Sequence, residues 1–166
     1  MTLSIDGLTQ TERVIIGLFE KDCPKTTKNF KEIALNPHRS PISGAWMSYN
    51  ECVFHRIIPN FMMQGGDFTK NNGTGGESIY GRSFADENLK IGHKKGVLAM
   101  ANSGANTNGS QFYIPVGDAS YLDGGYVVFG KVLDGMNLVD LIVKNYGNKT
   151  GKPKGVIKME SFEDVT

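Results

Sequence analysis

Short apolar runs, separated by segments rich in glycine and polar residues, follow one another along most of the chain. Seven such runs are of β type: Arg13–Phe19, Val53–Ile58, Phe61–Gly65, Val97–Ala101, Gln111–Val116, Tyr126–Val132 and Val156–Met159. Runs of this kind, bounded by turn-forming residues, are typical of strands. The pattern therefore predicts a domain built mainly from short strands, with the long polar loops at the surface.

One segment near the N-terminus has the spacing of an amphipathic helix instead. It begins at Pro24, offers capping hydroxyls at Thr26 and Thr27, and ends before Pro37. Its apolar face consists of residues at i, i+3 and i+4, namely Phe30, Ile33 and Ala34.

A second helix is predicted from about Met136 to Lys144, with Gly147 just past its end. Its apolar stripe consists of Leu138, Leu141 and Ile142. Many short strands with only two helices predict a closed or nearly closed antiparallel β-barrel.

Length and composition limit the classes of protein to which the chain can belong. Its 166 residues fit one domain, and its 21 glycines, about one residue in eight, indicate many tight turns. A net charge of +1 without a basic run gives no reason to expect a nucleic-acid partner. No apolar stretch approaches the roughly 20 residues of a membrane span. The first residues do not resemble a leader peptide. These features favour a cytoplasmic location by default, and leave a secretory or endoplasmic-reticulum location open if an upstream leader has been removed.

The cysteines and histidines do not predict a metal site. Cys23 and Cys52 have neither metal-binding nor redox spacing and are interpreted as two separate thiols, although a bridge between them stays open. His38, His55 and His93 lie far apart, without the spacing of zinc ligands. No metal and no cofactor is therefore expected.

The most specific chemistry lies in one stretch, FHRIIPNFMMQGGDF at 54–68. It places a single cation, Arg56, in an apolar run, followed by Phe61, Met62 and a lone amide, Gln64. A fixed cation and one amide beside an apolar patch suit an uncharged substrate that needs a few directed hydrogen bonds. The set does not suit phosphate capture, metal-dependent hydrolysis or nucleophilic attack.

Further motifs follow this stretch along the chain. They are GTGGESIYG at 73–81, FADEN at 84–88, ANSGANTNGSQFY at 101–113 and YLDGGYVVFGKV at 121–132. Together with the first stretch they resemble the cyclophilins, the peptidyl-prolyl isomerases that interconvert the cis and trans forms of X–Pro bonds. The resemblance implies a mainly β fold, a closed eight-stranded antiparallel β-barrel capped by two α-helices. It also implies a single domain over residues 1–166, and leaves open whether this domain was trimmed from a longer parent chain.

The same resemblance implies roles for individual residues. Arg56 is the hydrogen-bond donor to the proline nitrogen of the twisted amide. Gln64 and Asn102 hold the backbone amides and carbonyls of the substrate. His55 lies at the edge of the site, where a structural role is as open as a catalytic one. The remaining substrate-binding residues are Phe61, Met62, Tyr113 and Leu122 around the proline, Gln111 along the groove, and Gly73, Ala101 and Ser103 at the floor and rim of an adjoining pocket.

These assignments have structural alternatives. Arg56 would otherwise form a surface salt bridge, and Gln64 and Gln111 would serve hydrogen bonds of turns or of the barrel. The pocket aromatics would otherwise pack in the core. Phe112 is assigned to the core and Tyr113 to the pocket, because neighbours in a strand point to opposite faces.

Three tyrosines depart from the family pattern. Tyr121 stands where the best-known members have a tryptophan, whose indole N–H donates to cyclosporin, the family's cyclic-peptide inhibitor. We therefore expect weaker cyclosporin binding, with isomerase activity largely retained. Tyr113 stands in the place of phenylalanine and Tyr126 in the place of histidine. All three tyrosines, Tyr121 included, are assigned to the substrate-binding residues. The segment from Ile33 to Cys52, which contains Trp46, is also longer than in the small cytosolic members.

The expected partners are proline-containing peptides and unfolded or flexible proteins, with cyclosporin-type cyclic peptides as weakened ligands. The chain is expected to be a monomer without nucleic-acid or membrane partners. The three tyrosines keep one alternative function open, a binding module or scaffold that grips a proline-containing segment with little catalysis.

Overall fold

The structure, a computed structural model that describes residues 1–166, is mainly β with two α-helices. The strands are β1 (Thr2–Ile5), β2 (Leu8–Thr9), β3 (Ile15–Leu18), β4 (His38–Arg39), β5 (Trp46–Met47), β6 (Cys52–Val53), β7 (Arg56–Ile58), β8 (Met62–Gly65), β9 (Val97–Met100), β10 (Phe112–Pro115), β11 (Val128–Asp134) and β12 (Ile157–Ser161). The helices are α1 (Pro24–Leu35) and α2 (Met136–Tyr146), and a 3-10 turn spans Ser120–Leu122. Neither helix combines the length and the apolar content that a membrane span requires.

The strands pair in antiparallel fashion into two main sheets. One sheet has four strands in the order β2-β1-β12-β6, and the other has six in the order β3-β11-β9-β10-β8-β7. Both contribute to one core, for example Leu3 and Ile157 from the first sheet and Phe112 and Phe129 from the second. The mainly β architecture with two helices is confirmed. The closed eight-stranded barrel stays a prediction, because the hydrogen bonds group the strands into two separate sheets.

Side-chain alternation gives the six-stranded sheet two different faces. On one face the side chains enter the main core, among them Ile57, Met63, Leu98, Phe112 and Phe129. On the other face a smaller buried cluster consists of Met62, Val97, Ala99, Tyr113 and Val128. Phe112 and Tyr113 thus lie on opposite faces, as the period of two along a strand predicts. The candidate site lies on the face of the smaller cluster.

The N-terminus of α1 is capped by a residue distant in sequence. Glu87 accepts hydrogen bonds from the N–H groups of Lys25 and Thr26, at 2.8 and 2.9 Å, and from the Thr26 hydroxyl at 2.9 Å. The Thr27 hydroxyl instead donates back to the Cys23 carbonyl. The prediction that the two threonine hydroxyls cap this helix is wrong, because a carboxylate satisfies the free N–H groups and complements the positive end of the helix dipole.

The apolar face of α2 differs in one residue from the predicted stripe. Leu141 is 54% exposed, whereas the buried side chains are Leu138, Val139, Ile142 and Val143. Val139 and Val143 directly follow Leu138 and Ile142. The buried face of the helix is therefore rotated toward the two valines and away from Leu141.

Two other segments refine the predicted elements. The run Val53–Ile58 forms parts of two strands rather than one, and the chain passes there from the four-stranded to the six-stranded sheet. The long segment before it contains the β4–β5 hairpin, in which Arg39 pairs with the exposed Trp46. Cys23 and Cys52 are buried free thiols, which confirms the favoured interpretation.

Candidate active site

The predicted arginine and glutamine lie in one row across the six-stranded sheet. Arg56 on β7 pairs with Gln64 on β8, and Gln64 pairs in turn with Tyr113 on β10. Tyr113 also faces Ala99 on β9. Directly opposite residues of an antiparallel pair project to the same face. The strand register therefore brings a cation, an amide and an aromatic ring together on the face away from the main core.

A tight turn between β7 and β8 presents Phe61 beside this row. Asn60 takes a positive φ of 62°, and the Phe61 N–H closes the turn on the Ile58 carbonyl at 3.1 Å. Pro59 precedes Asn60 and fixes its own φ, so the pair has the residues that a type II turn favours. Phe61 then packs against the smaller cluster.

A cavity of about 140 Å³ opens on this face. It is lined by six apolar or aromatic side chains, one cation and two amides: Arg56, Phe61, Met62, Gln64, Ala101, Asn102, Tyr113, Leu122 and Tyr126. All nine are predicted site residues. An apolar cavity with a few convergent polar groups is the usual form of a small-ligand site.

The guanidinium of Arg56 has no acidic partner. None of the ion pairs in the molecule includes it, so the salt-bridge alternative for Arg56 is wrong. Its aliphatic stem rests on Gly151, where a Cβ would lie only 3.1 Å from the Arg56 Cγ. The Gly151 carbonyl also accepts the Ile57 N–H at 2.9 Å, which fixes this loop against β7. The stem is held, while the charged head stays unpaired.

A second, polar cavity of about 360 Å³ adjoins the first. Gln64, Ala101 and Asn102 line both cavities. Three more predicted residues line the polar cavity, namely Gly73, Ser103 and Gln111. The other residues of its wall are Thr74, Gly75, Gly76, Arg82, Ser83, Thr107, Gly109 and Ser110. The two cavities form one groove, apolar at one end and polar at the other.

Asp67, which the sequence did not single out, organises the loop along the polar cavity. Its buried carboxylate accepts six hydrogen bonds at 2.9 to 3.2 Å. The donors are the Thr69 hydroxyl and the N–H groups of Thr69, Lys70, Asn72, Gly73 and Gly75. Burial by itself would raise the pKa of Asp67, but the hydrogen bonds outweigh burial and hold the pKa below its ordinary value. The carboxylate is therefore charged at neutral pH.

Gln111 fixes the orientation of Gln64. The Gln111 amide donates to the carbonyls of Gly73 and Gly75, each at 2.9 Å. Its oxygen then faces Gln64, whose amide nitrogen donates to it at 3.1 Å. Gln64 consequently keeps its carbonyl oxygen and one N–H for a ligand in the groove. Gln111 thus both lines the groove and serves the hydrogen bonds of the loop.

The side chain of Asn102 is used within the protein. Its Nδ2 donates to the Gly125 carbonyl at 2.9 Å, and its Oδ1 accepts the Gly104 N–H at 3.1 Å. The main-chain N–H and C=O of Asn102, by contrast, make no backbone hydrogen bond. We therefore expect Asn102 to contact a peptide through its main chain.

His55 lies behind the groove and lines neither cavity. Its Nε2 sits under Gly73, where a Cβ would come within 2.7 Å, and the positive φ of 92° at Gly73 suits this close approach. The buried Nδ1 has no hydrogen-bond partner. Burial lowers the pKa of His55, and Arg56 lowers it further against the opposing charge of Asp67. The ring is therefore neutral at neutral pH, and its placement favours the structural role.

We expect kcat/KM for a prolyl peptide to stay constant from about pH 7 to pH 9, because His55 is already neutral there. The measurement is a pH profile of wild type and His55→Gln, with His38→Gln, on the distant β4–β5 hairpin, as the matched control. A step in the wild-type profile that only His55→Gln removes would show that His55 titrates in the reaction.

The three tyrosines occupy different positions around the groove. Tyr113 and Tyr126 line the apolar cavity, with perpendicular rings 5.8 Å apart. Tyr121 is 69% exposed, with its ring 5.9 Å from that of Phe61, and lines neither cavity. The Tyr113 hydroxyl bonds His93 Nε2 at 2.7 Å. Because His93 lines neither cavity, the hydroxyl has its partner outside the pocket.

A larger cavity than these two, of about 440 Å³, lies elsewhere. It is bounded by β3, α1 and residues 162–166, and no predicted site residue lines it. Among its charged residues, Glu20 and Lys31 pair with each other at 2.9 Å. The groove, and not this cavity, combines an unpaired cation with oriented amides.

Comparison with known proteins agrees with this chemistry. The profile of the family described as "Cyclophilin type peptidyl-prolyl cis-trans isomerase/CLD" matches residues 2–164. A curated relative, the peptidyl-prolyl cis-trans isomerase of Encephalitozoon cuniculi (strain GB-M1), is 47% identical over 149 residues, which cover 89% of this chain and 82% of the relative. With its profile match over nearly the whole length, the chain belongs to the cyclophilin family of peptidyl-prolyl cis-trans isomerases.

Proposed function

We propose that the groove is the active site of this isomerase and that Arg56 supplies the hydrogen bond that lowers the barrier. Rotation about an X–Pro bond is slow because resonance gives the C–N bond partial double-bond character, with a barrier of ~18–20 kcal/mol. In the twisted amide the proline nitrogen regains a lone pair. A donor aimed at that lone pair stabilises the transition state more than either ground state. The reaction breaks no covalent bond and transfers no proton, which agrees with a site without a general base.

The unpaired guanidinium beside an apolar cavity is the observation that carries this proposal. A planar, permanently charged group offers several donors in a fixed geometry. Arg56 is solvent-exposed, and a proline ring bound against the apolar walls excludes water from its guanidinium, so that a hydrogen bond from this group becomes stronger than in water. A pure binding surface has no need of such a cation beside the ring.

The remaining lining residues divide between the proline and its neighbours. The proline ring occupies the apolar cavity against Phe61, Met62, Tyr113 and Leu122, with Tyr126 and Ala101 completing the wall. The free carbonyl oxygen and N–H of Gln64 meet the backbone of the residue before proline. The main chain of Asn102 meets the backbone along the same groove.

The substrates of the enzyme are proline-containing peptides, and we extend them to unfolded or flexible proteins, whose prolyl bonds are accessible. We also propose that the chain is a single, monomeric domain whose two sheets close as the barrel, which has eight strands when the two-residue β2 is left out and β6 and β7 are counted as one strand. The shared core supports this closure, since Ile157 and Met159 of one sheet and Ile57 and Met63 of the other belong to it.

An isomerisation assay on a prolyl peptide tests the active site, with peptide binding measured in parallel. Turnover by wild type that falls by about 10²–10³ in Arg56→Ala, with binding retained, supports the proposal. Peptide binding by wild type without turnover would instead support the binding module.

We expect Tyr121→Trp to bind cyclosporin about tenfold more tightly than wild type, since one additional hydrogen bond from an indole N–H has this size. Tyr121 is exposed beside Phe61, so the larger ring fits without repacking. The measurement is a calorimetric titration, with Tyr121→Phe as the control that adds no donor to the ring. Equal affinities of wild type and Tyr121→Trp would contradict the expectation.

A further inference from the structure

A chain of hydrogen bonds connects the surface to the wall of the apolar cavity. Asp123 Oδ1 lies 2.8 Å from His93 Nδ1, and His93 Nε2 lies 2.7 Å from the Tyr113 hydroxyl. The His93 side chain is fully buried, whereas that of Asp123 is 46% exposed. Tyr113 is the member of the chain that lines the cavity.

The chemistry of the three groups fixes the direction of the hydrogen bonds. The His93 backbone N–H, followed by the ring, holds the pKa of Asp123 below its ordinary value, so the carboxylate only accepts. His93 Nδ1 must therefore donate to it, and in the tautomer that carries its proton on Nδ1 the acceptor is Nε2. Burial raises the pKa of Tyr113, so the hydroxyl keeps its proton and donates it to His93.

The surrounding contacts make this chain a rigid unit. Asp123 Oδ1 also accepts the His93 backbone N–H at 2.7 Å, and Gly92 leaves room for the carboxylate, since a Cβ there would lie 3.3 Å from Oδ2. The rings of His93 and Tyr113 are parallel, 5.9 Å apart, and Tyr126 meets both edge-on. Asp123 directly follows Leu122. The hydrogen bonds and ring contacts therefore connect three residues of the cavity wall, namely Tyr113, Leu122 and Tyr126.

We propose that His93 and Asp123 are positioning residues of the isomerase: they hold the Tyr113 hydroxyl outside the apolar cavity and fix the ring that faces the proline. Without an acceptor, a buried hydroxyl either stays unpaired, which is unfavourable, or turns toward the cavity and its water. Either outcome weakens the contact between the ring and proline. The contact is made with the substrate as well as with the transition state, so its loss raises KM and leaves kcat nearly unchanged.

A double-mutant cycle tests this role. His93→Leu in the wild-type background should raise KM about tenfold, the size of one lost hydrogen bond. In the Tyr113→Phe background the same substitution should change KM less than about twofold, because apolar groups then replace both partners. His93→Gln, which keeps a donor and an acceptor, should recover part of the loss.

Asp123→Ala provides a second variant for the case in which His93→Leu does not fold. Asp123 is partly exposed, and its removal should raise KM in the wild-type background and not in the Tyr113→Phe background. A nitrogen NMR spectrum should show His93 protonated at Nδ1 and unprotonated at Nε2. The opposite tautomer, or equal effects of Asp123→Ala in both backgrounds, would overturn the role of the chain.

This role presupposes that the groove is the active site, and the cycle separates the two ideas. If the groove were not the active site, none of these substitutions would change KM. If only the positioning role were wrong, the substitutions would lower kcat through loss of folded enzyme, or raise KM equally in both backgrounds.

Discussion

Arg56→Ala is expected to lower kcat/KM for a prolyl peptide by about 10²–10³, the loss found when one preorganised donor to a transition state is removed. The reason lies in the position of Arg56, which pairs with Gln64 across the β7–β8 ladder and lines the apolar cavity. The hydrogen bond proposed for it, to the proline nitrogen, would exist only in the twisted amide. Loss of such an interaction lowers kcat and kcat/KM together. The measurement is a steady-state isomerisation assay with kcat and KM resolved.

Two further variants make this result specific. Arg56→Lys keeps the charge but loses the planar set of donors, so its activity should lie between those of wild type and Arg56→Ala. Arg39→Ala removes an arginine that bonds only the Gly44 carbonyl of the distant hairpin and should leave kcat/KM unchanged. If Arg56→Ala keeps kcat/KM within about threefold of wild type, Arg56 is not the donor that the groove was proposed to contain.

The apolar half of the groove follows from local sequence features. Strand periodicity places Phe112 and Tyr113, and likewise Met62 and Met63, on opposite faces, and the resemblance to the cyclophilins implies that Tyr113 and Met62 face the proline. The turn at Pro59 and Asn60 can likewise be predicted from the sequence, because both residues favour the backbone conformations that this turn requires. The nine residues of the cavity lie in three stretches that the sequence singled out.

The polar supports of the site could not be predicted in the same way. The Asp67 carboxylate, the Glu87 cap and the His93–Asp123 pair all act on backbone or side chains brought to them by the fold. A hydrogen bond between distant residues leaves no periodic signal. One indication was available for His93, since a tyrosine in a predicted apolar pocket requires a partner for its hydroxyl.

The loop of the polar cavity is where the second large effect is expected. Asp67→Asn should lower the free energy of unfolding by on the order of 3 kcal/mol, because an amide cannot accept all six hydrogen bonds and turns donors toward donors. The loop carbonyls of Gly73 and Gly75 hold the Gln111 amide, which in turn orients Gln64. A loosened loop should therefore also lower kcat/KM. Urea unfolding and the isomerisation assay measure the two effects.

The pH dependence of the difference in free energy of unfolding between wild type and Asp67→Asn distinguishes the charge of Asp67 from the shape of the loop. Because the folded-state pKa of Asp67 is lowered, its stabilisation is complete above the ordinary value of 3.8 and is lost as pH falls through the folded-state value. The difference between wild type and Asp67→Asn should be constant above about pH 5 and shrink in acid. Asp164→Asn is the matched control, since its carboxylate bonds only the exposed Thr166 and its removal should leave the free energy of unfolding unchanged. A difference that persists undiminished in acid would mean that the shape of the loop, and not the charge of Asp67, stabilises the fold.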